Sequence, residues 1–214
     1  MDREESSAFC HAVWDVLVPA RAAYLAAVSP HYDEVFWDVA QHVERAGSLG
    51  KRDIAALVVW KRLSAPTRWV TALMSLPDSQ VRAVTGQAVA SVQDLTLSRG
   101  EAAQAGRSAI SELPGFVRGD ALASAILTSA APTRMAVYDQ RVQRAIDLLG
   151  LTLTDRPGRY GRYMDLLDTL LKHSGGRADG WTPRDVDTAL YWAGKNPEGR
   201  GSQIAEDHSE RTPG

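Results

Sequence analysis

The segment ISELPGFVRGDA, residues 110–121, joins the end of one amphipathic helix to the start of another through a tight turn. Its glycines, Gly115 and Gly119, allow the backbone to reverse direction sharply. The first backbone N–H groups of the second helix have no partner inside that helix, and with the helix dipole they can hold a phosphate oxygen. A purely structural helix–helix turn carries the same local features, so this segment alone fits both interpretations.

A second segment, VYDQRVQR at residues 137–144, places an aspartate at the start of a helix. Asp139 follows a short apolar stretch and precedes Val142, Ile146 and Leu149 at helical spacing. An aspartate there is predicted to cap the helix, a contribution of about 1 kcal/mol. Capping lowers a carboxyl pKa, and an ionised carboxylate can activate water or stabilise positive charge developing on a sugar ring.

Helical periodicity extends along most of the chain, and no alternating strand pattern is visible. Pro19 is expected to divide or kink the first helix, and Pro30 to open the second. Residues 195–214 are rich in Gly, Pro, Ser and charge and are predicted to form a disordered tail. Helices are predicted over residues 8–28, 30–46, 51–63, 67–75, 79–93, 99–113, 120–130, 139–149, 159–172 and 183–194.

The composition is that of an ordinary globular protein, with 214 residues, 44% hydrophobic residues and a formal charge of −2. Apolar runs are too short to span a membrane, and the acidic start of the chain does not have the pattern of a signal peptide. A cytoplasmic location is therefore expected, next to the nucleoid if the source is bacterial. The single cysteine excludes an internal disulfide, a multi-cysteine zinc site and a four-cysteine iron–sulfur cluster.

Charge is distributed unevenly along the chain. Residues 1–46 carry a net charge of −5, residues 47–98 of +3 and residues 99–144 of +2. A basic middle section is compatible with an anionic ligand, whereas the pI near 6.2 argues against a strongly basic nucleic-acid coat. For the pair Lys61-Arg62, a solvated helix face is favoured over a DNA-facing surface.

In their order and spacing, the two segments resemble the helix–hairpin–helix (HhH-GPD) DNA glycosylase superfamily. The hairpin of that superfamily reads L-P-G-V-G-x-x-x-A and its later segment V-x-D-x-x-V-x-R; residues 113–144 carry the likeness. Within the superfamily the chain is most similar to the 8-oxoguanine DNA glycosylase-like branch. The resemblance implies an all-α, two-lobed fold with a cleft, in which residues 1–194 form one compact helical domain and residues 110–130 form the hairpin.

The resemblance also implies base-excision repair: a damaged base, an oxidised purine by preference, is flipped out of duplex DNA and its N-glycosidic bond is hydrolysed. Asp139 would be the catalytic aspartate, and Tyr138 and Trp192 would line the base pocket, with Asp185 and Asp187 as further pocket candidates. Double-stranded DNA containing a damaged base would be the partner of a monomer that needs no membrane, metal or cofactor. The DNA-binding residues would be Gly115, Phe116, Val117, Arg118, Gly119 and Arg141.

The chain departs from the superfamily at the position that supports strand cleavage. Members with lyase activity carry a lysine just after the hairpin, where this chain has Gly119 and Asp120. Neither side chain can attack a sugar carbon to form a Schiff base. The sequence therefore predicts a glycosylase without lyase activity. A catalytically inactive DNA-binding protein on the same fold, and an unrelated helical domain, remain as alternatives.

Overall fold

The computed structural model describes residues 3–63, 65 and 67–195, with side chains from residue 12 onwards except Thr67. Over these ranges the chain forms ten helices and no strand. The all-α prediction is confirmed for this part of the chain. The helices are α1 (Arg3–Ala27), α2 (Glu34–Ala46), α3 (Lys51–Trp60), α4 (Thr67–Met74), α5 (Asp78–Gln93), α6 (Arg99–Ile110), α7 (Ala121–Ala130), α8 (Gln140–Leu148), α9 (Arg159–Lys172) and α10 (Pro183–Lys195).

Helix α7 lies at the centre of the molecule. Every residue from position 123 to position 130 is buried, and the helix contacts α2, α3, α5 and α6. Its sequence, ALASAILTSA, is rich in small residues that allow neighbouring helices to approach closely, and a helix that is apolar on all sides is expected in a core. The buried hydroxyls of Thr128 and Ser129 donate to backbone carbonyls of the same helix, which satisfies their hydrogen-bonding capacity.

Helix α10 packs against both α1 and α8, and thereby brings the two ends of the described chain together. The contact with α8 is very close at Gly194. A Cβ atom at this position would lie 2.0 Å from the carbonyl oxygen of Arg141, so only glycine permits the observed separation of the two backbones. This contact holds the start of α8 beside the last turn of α10.

The apolar core is continuous across these elements. Buried apolar side chains from all ten helices belong to one cluster. Within the described residues, no helix combines the length and apolarity needed to cross a bilayer. The division into two lobes stays a prediction, and the predicted disordered tail lies outside the described residues except for Lys195, which ends α10.

Several helix boundaries differ from those expected from the sequence. Helix α1 begins at Arg3 rather than at residue 8, and α3 and α6 end at Trp60 and Ile110 rather than at residues 63 and 113. At Pro19, where the sequence allowed either two helices or one kinked helix, the chain is not divided: α1 is a single helix with Pro19 inside it. Helix α2 begins at Glu34 rather than at Pro30, because residues 29–33 form turns in which the backbone N–H of Tyr32 donates to the carbonyl of Ser29. The predicted helices that carry the second motif and the C-terminal region, α8 to α10, are confirmed to within a residue or two.

Candidate active site

Asp139 is fixed at the start of α8 by its own capping interactions. Residues 135–139 are non-helical, and the backbone of Asp139 is extended, with φ −146° and ψ −179°. One carboxylate oxygen, Oδ1, accepts hydrogen bonds from the backbone N–H groups of Arg141 at 2.9 Å and Val142 at 3.1 Å. The predicted helix cap is therefore confirmed, and the second oxygen, Oδ2, is left for another partner.

That partner is Lys61, which follows the last residue of α3. Its Nζ donates to Oδ2 of Asp139 at 2.6 Å, and the two side chains are only 14% and 16% exposed. Burial acts to raise the pKa of Asp139, but the charge and hydrogen bond of Lys61, together with the two capping N–H groups, hold it below its ordinary value. Asp139 is accordingly ionised at neutral pH.

The pair Lys61–Asp139 lies in the wall of a cavity of about 740 Å³. Such a volume is in the range of pockets that enclose small molecules or a nucleobase. The cavity is lined by residues from α1, α3, α8 and α10, by the first residue of α7, and by the segments beside these helices. Its aromatic residues are Tyr24, Tyr32, Trp60, Tyr191 and Trp192.

Three of these aromatic rings are arranged edge to face. Tyr24 meets Tyr191 with ring centroids 6.3 Å apart, and Trp192 with centroids 6.1 Å apart. Edge-to-face contacts of this kind hold rings in defined orientations. Cationic side chains already lie over the rings of Tyr191 and Trp192, so a planar ligand would have to stack on ring faces that they leave open.

A second carboxyl group, that of Asp187 on α10, also lines the cavity. It is 4% exposed, and its Oδ2 accepts a hydrogen bond from the backbone N–H of Val137 at 3.2 Å. Burial raises the pKa of Asp187 to about 7, even though Arg184 and Lys61 act in the opposite direction. The two carboxyl groups of one cavity thus have pKa values shifted in opposite directions.

Cationic side chains surround the phenol of Tyr191 at the same cavity. Both Arg62 and Arg141 donate to the Tyr191 hydroxyl, and Arg141 lies over its ring at 5.0 Å from the centroid. Lys195 lies over the ring of Trp192 at 4.5 Å. In the described part of the chain, no carboxylate lies within ion-pair distance of Arg62 or Arg141. These two guanidinium groups are available to an anionic ligand.

The predicted pocket residues occupy different places. Trp192 lines the cavity, as do Arg141 and Asp187. Tyr138 does not: its ring packs against Tyr163 with centroids 5.1 Å apart, and its hydroxyl donates to Gln143. Asp185, the remaining pocket candidate, is used elsewhere, because its carboxylate accepts hydrogen bonds from Arg21 and from the backbone N–H of Thr182.

The hairpin residues 115–119 do not line this cavity, although Ala121 at the start of α7 does. Phe116 is 1% exposed and belongs to the core, so a ligand can meet only its backbone. Val117 and Arg118 are exposed. Gly115 and Gly119 have positive φ angles of 92° and 77°, which are readily adopted only by glycine.

Asp120, one of the two residues compared above with the lyase lysine, faces a second cavity of about 410 Å³. Its carboxylate is 10% exposed and accepts hydrogen bonds from Arg107 at 2.9 Å and Arg159 at 2.9 Å. It makes no side-chain cap for α7. Two guanidinium groups therefore occupy both oxygens of this carboxylate.

Lys61 is the site residue that sequence reasoning placed wrongly. The dipeptide Lys61-Arg62 was expected on a solvated helix face, whereas Lys61 is largely buried against Asp139. Lys61 and Asp139 are 78 positions apart in the sequence, so no local sequence pattern predicts their contact. Tyr191 and Arg184 were also missed; both lie on the predicted helix α10, but no local pattern distinguishes them from packing residues.

Comparisons with protein-family models, with curated proteins and with solved structures give no match to this chain. The described residues also contain no group of three or more His, Cys, Asp or Glu side chains placed to hold a metal ion.

Proposed function

We propose that this protein is a DNA N-glycosylase that removes a damaged base by flipping it out of the duplex and hydrolysing its N-glycosidic bond. The observation that carries the proposal is the ionised carboxylate of Asp139, fixed by Lys61 and by two backbone N–H groups in the wall of an aromatic cavity. The resemblance to the 8-oxoguanine branch supports an oxidised purine as the substrate.

Hydrolysis needs a group that is negative when the sugar becomes positive. As the bond between C1′ and the base nitrogen breaks, its electron pair leaves with the base, and an oxocarbenium-like sugar forms. The carboxylate of Asp139 stabilises that charge and accepts a proton from the water whose oxygen bonds to C1′. The aromatic side chains of the cavity provide stacking surfaces for the flipped base.

In this proposal, positively charged side chains bind the DNA backbone while the cavity binds the flipped base. Arg62, Arg141 and Lys195 lie at the cavity and can face phosphodiester groups. The hairpin at residues 114–119 offers the backbone N–H groups of the first turn of α7, which have no side-chain cap. Contacts of both kinds are independent of base sequence, and affinity is expected to fall as salt rises.

The contact between Lys61 and Asp139 favours a second candidate, a glycosylase with lyase activity. Nζ lies 2.6 Å from Asp139 at the cavity, and loss of a proton from the ammonium group to solvent frees the amine to react. The amine then bonds to C1′ as the base leaves, and opening of the sugar ring gives an imine. Loss of a C2′ proton from that imine would expel the 3′ phosphate and cleave the strand.

The test is incubation of the full chain with duplex oligonucleotides that each carry one lesion: 8-oxoguanine, uracil, hypoxanthine or an alkylated purine. Each product is analysed with and without alkali, and after borohydride reduction. Strand cleavage only after alkali supports hydrolysis. Cleavage without alkali, with a borohydride-trapped adduct that Lys61→Gln abolishes, supports the lyase. No cleavage of any duplex, with salt-dependent binding retained, overturns both in favour of a non-catalytic DNA-binding protein.

A further inference from the structure

Asp187 and Asp139 are close to each other in the structure but differ in the partners of their carboxyl groups. Both carboxyl groups line the same cavity, and both are attached to the segment 137–139: Asp139 belongs to it, and Asp187 accepts the backbone N–H of Val137. The hydrogen bond to Val137 uses Oδ2 of Asp187. Among the described residues, no hydrogen bond reaches Oδ1, which leaves this oxygen for a ligand in the cavity.

The guanidinium group next to Asp187, that of Arg184, is hydrogen-bonded to a different carboxylate. Arg184 approaches Oδ2 of Asp187 at 3.7 Å, beyond a hydrogen bond, whereas it donates to Asp33 at 2.8 Å. The Arg184 guanidinium is itself held over the rings of Phe36 and Trp60, at 4.6 Å and 5.3 Å from their centroids. It therefore cannot move fully to Asp187 without giving up those contacts.

Among the remaining ionisable groups around Asp187, only Lys61 favours a negative charge there, and its effect does not offset that of burial. Lys61 is hydrogen-bonded to Asp139, and the carboxylate of Asp139 disfavours a second negative charge nearby. The hydroxyls of Tyr160 and Tyr163 donate to backbone carbonyls of residues 136 and 137. The titratable and charged groups that face Asp187 are Tyr24 on α1, Asp33 before α2, Lys61 after α3, Asp139 before α8, Tyr160 and Tyr163 on α9, and Arg184 on α10.

We propose that Asp187 is the acid that protonates the departing base. This inference rests on the proposed glycosylase function and deepens it. The proton on the carboxyl group of Asp187 passes to a nitrogen or oxygen of the flipped base as the bond to C1′ breaks, so the base leaves as a neutral molecule. Asp139 takes the proton of the attacking water, and solvent returns a proton to Asp187.

This division of labour requires one neutral and one ionised carboxyl group at the same pH. Burial raises the pKa of Asp187 to about 7, and Lys61 with the capping N–H groups lowers that of Asp139. Environments that separate the pKa values of two neighbouring groups are a way to assign acid and base within a site. Excision should then fall as pH rises through 7, because the proton on Asp187 is lost.

The experiment is a single-turnover measurement of 8-oxoguanine release between pH 5.5 and pH 8 by the full chain and by Asp187→Asn. Asparagine keeps the size of the side chain and can still accept the Val137 N–H, but it has no proton to transfer. The wild-type rate constant should fall roughly tenfold between pH 6 and pH 8. In Asp187→Asn the rate at pH 6 should be lower by about 10²-fold or more and should not change with pH in this range.

Asp185→Asn is the matched control, because Asp185 lies on the same helix, is bonded to Arg21 and does not line the cavity. It should keep the wild-type fall above pH 7. A wild-type rate that does not fall between pH 6 and pH 8 overturns the inference without any variant. A lowered rate in Asp187→Asn with the pH dependence intact also overturns it and indicates a structural role. If the wild type releases no base from any lesion duplex, the glycosylase proposal itself fails.

Discussion

Two aspartates each stand directly before a helix, and their surroundings give them different chemistry. Asp120 precedes α7 and is bonded by Arg107 and Arg159, one guanidinium on each carboxylate oxygen. Asp139 precedes α8, caps it through one oxygen, and meets a single lysine through the other. Asp120 faces the smaller cavity and Asp139 the larger aromatic one. The same helix position thus supports a structural ion pair in one case and a candidate catalytic carboxylate in the other.

The largest effect that would sharpen this comparison is expected from Asp139→Asn. The variant keeps an acceptor for the cap but loses the negative charge that the proposed reaction needs. Single-turnover excision should fall about 10²- to 10⁴-fold, while affinity for the lesion duplex in a gel-shift assay changes little.

Asp120→Asn is the counterpart of that variant. It should keep excision within a few-fold of wild type but unfold at lower urea, because two partly buried guanidinium groups lose their carboxylate, at a cost of about 1–3 kcal/mol. Loss of excision in Asp120→Asn with stability retained would break the comparison, since it would give the carboxylate after the hairpin a role in the reaction.

A smaller effect is expected from Lys61→Gln. Without the lysine, its charge and its hydrogen bond no longer lower the pKa of Asp139, so that pKa rises relative to the wild type. The stabilisation that the ion pair gives the fold is present above the pKa of an unfolded aspartate and is lost as pH falls through the lowered folded pKa. Because the pKa of Asp139 rises, removing Lys61 should also move the acid-side loss of excision to higher pH and lower the rate at pH 5 by a few-fold.

The pH–rate profile below pH 7 measures this shift, and Lys172→Gln, which changes a lysine outside the cavity, is its control. An acid limb that does not move in Lys61→Gln would show that the cap alone sets the ionisation of Asp139.

The sequence was informative where the physics is local. The apolar spacing of residues 139–149 and an aspartate before them were sufficient to predict a capped amphipathic helix, and α8 begins within one residue of that prediction. The N-cap is encoded by residues only two and three positions apart. The same holds for α9 and α10, whose predicted limits are close to the observed ones.

The composition of the cavity was not predictable in the same way, because long-range packing decides it. Lys61 reaches Asp139 only because α3 ends beside the start of α8, and nothing near Lys61 in the sequence indicates that contact. For Asp187, a carboxylate on an amphipathic helix normally faces water, and burial at 4% exposure depends on how α10 packs. A sequence pattern predicts which face of a helix is buried, but it does not predict which neighbouring element covers that face.

The smallest effects on excision are expected in the hairpin that leads to Asp120, where stability and DNA binding are the quantities to measure. Gly115 and Gly119 both have positive φ angles, yet their surroundings differ: a Cβ atom at position 115 would lie 2.5 Å from Cε3 of Trp69, whereas position 119 faces open space. Gly119→Ala should cost about 1 kcal/mol through backbone strain alone. Gly115→Ala should cost about 2–3 kcal/mol, because the indole of Trp69 must also shift.

Urea denaturation of the two alanine variants measures that difference, and their gel shifts on the same lesion duplex show whether the hairpin grips DNA. If Gly119 approaches a phosphate, its methyl group should weaken binding although it costs little stability. Gly115→Ala should show the opposite result, a larger loss of stability with little change in binding, because a methyl group at position 115 would face Trp69 rather than solvent. Equal loss of stability with unchanged binding in both variants would mark the hairpin as a structural turn. Any DNA affinity would then have to come from the guanidinium groups of Arg62 and Arg141 beside Asp139. Both DNA binding and the proposed chemistry would in that case lie at the Asp139 cavity, and neither at Asp120.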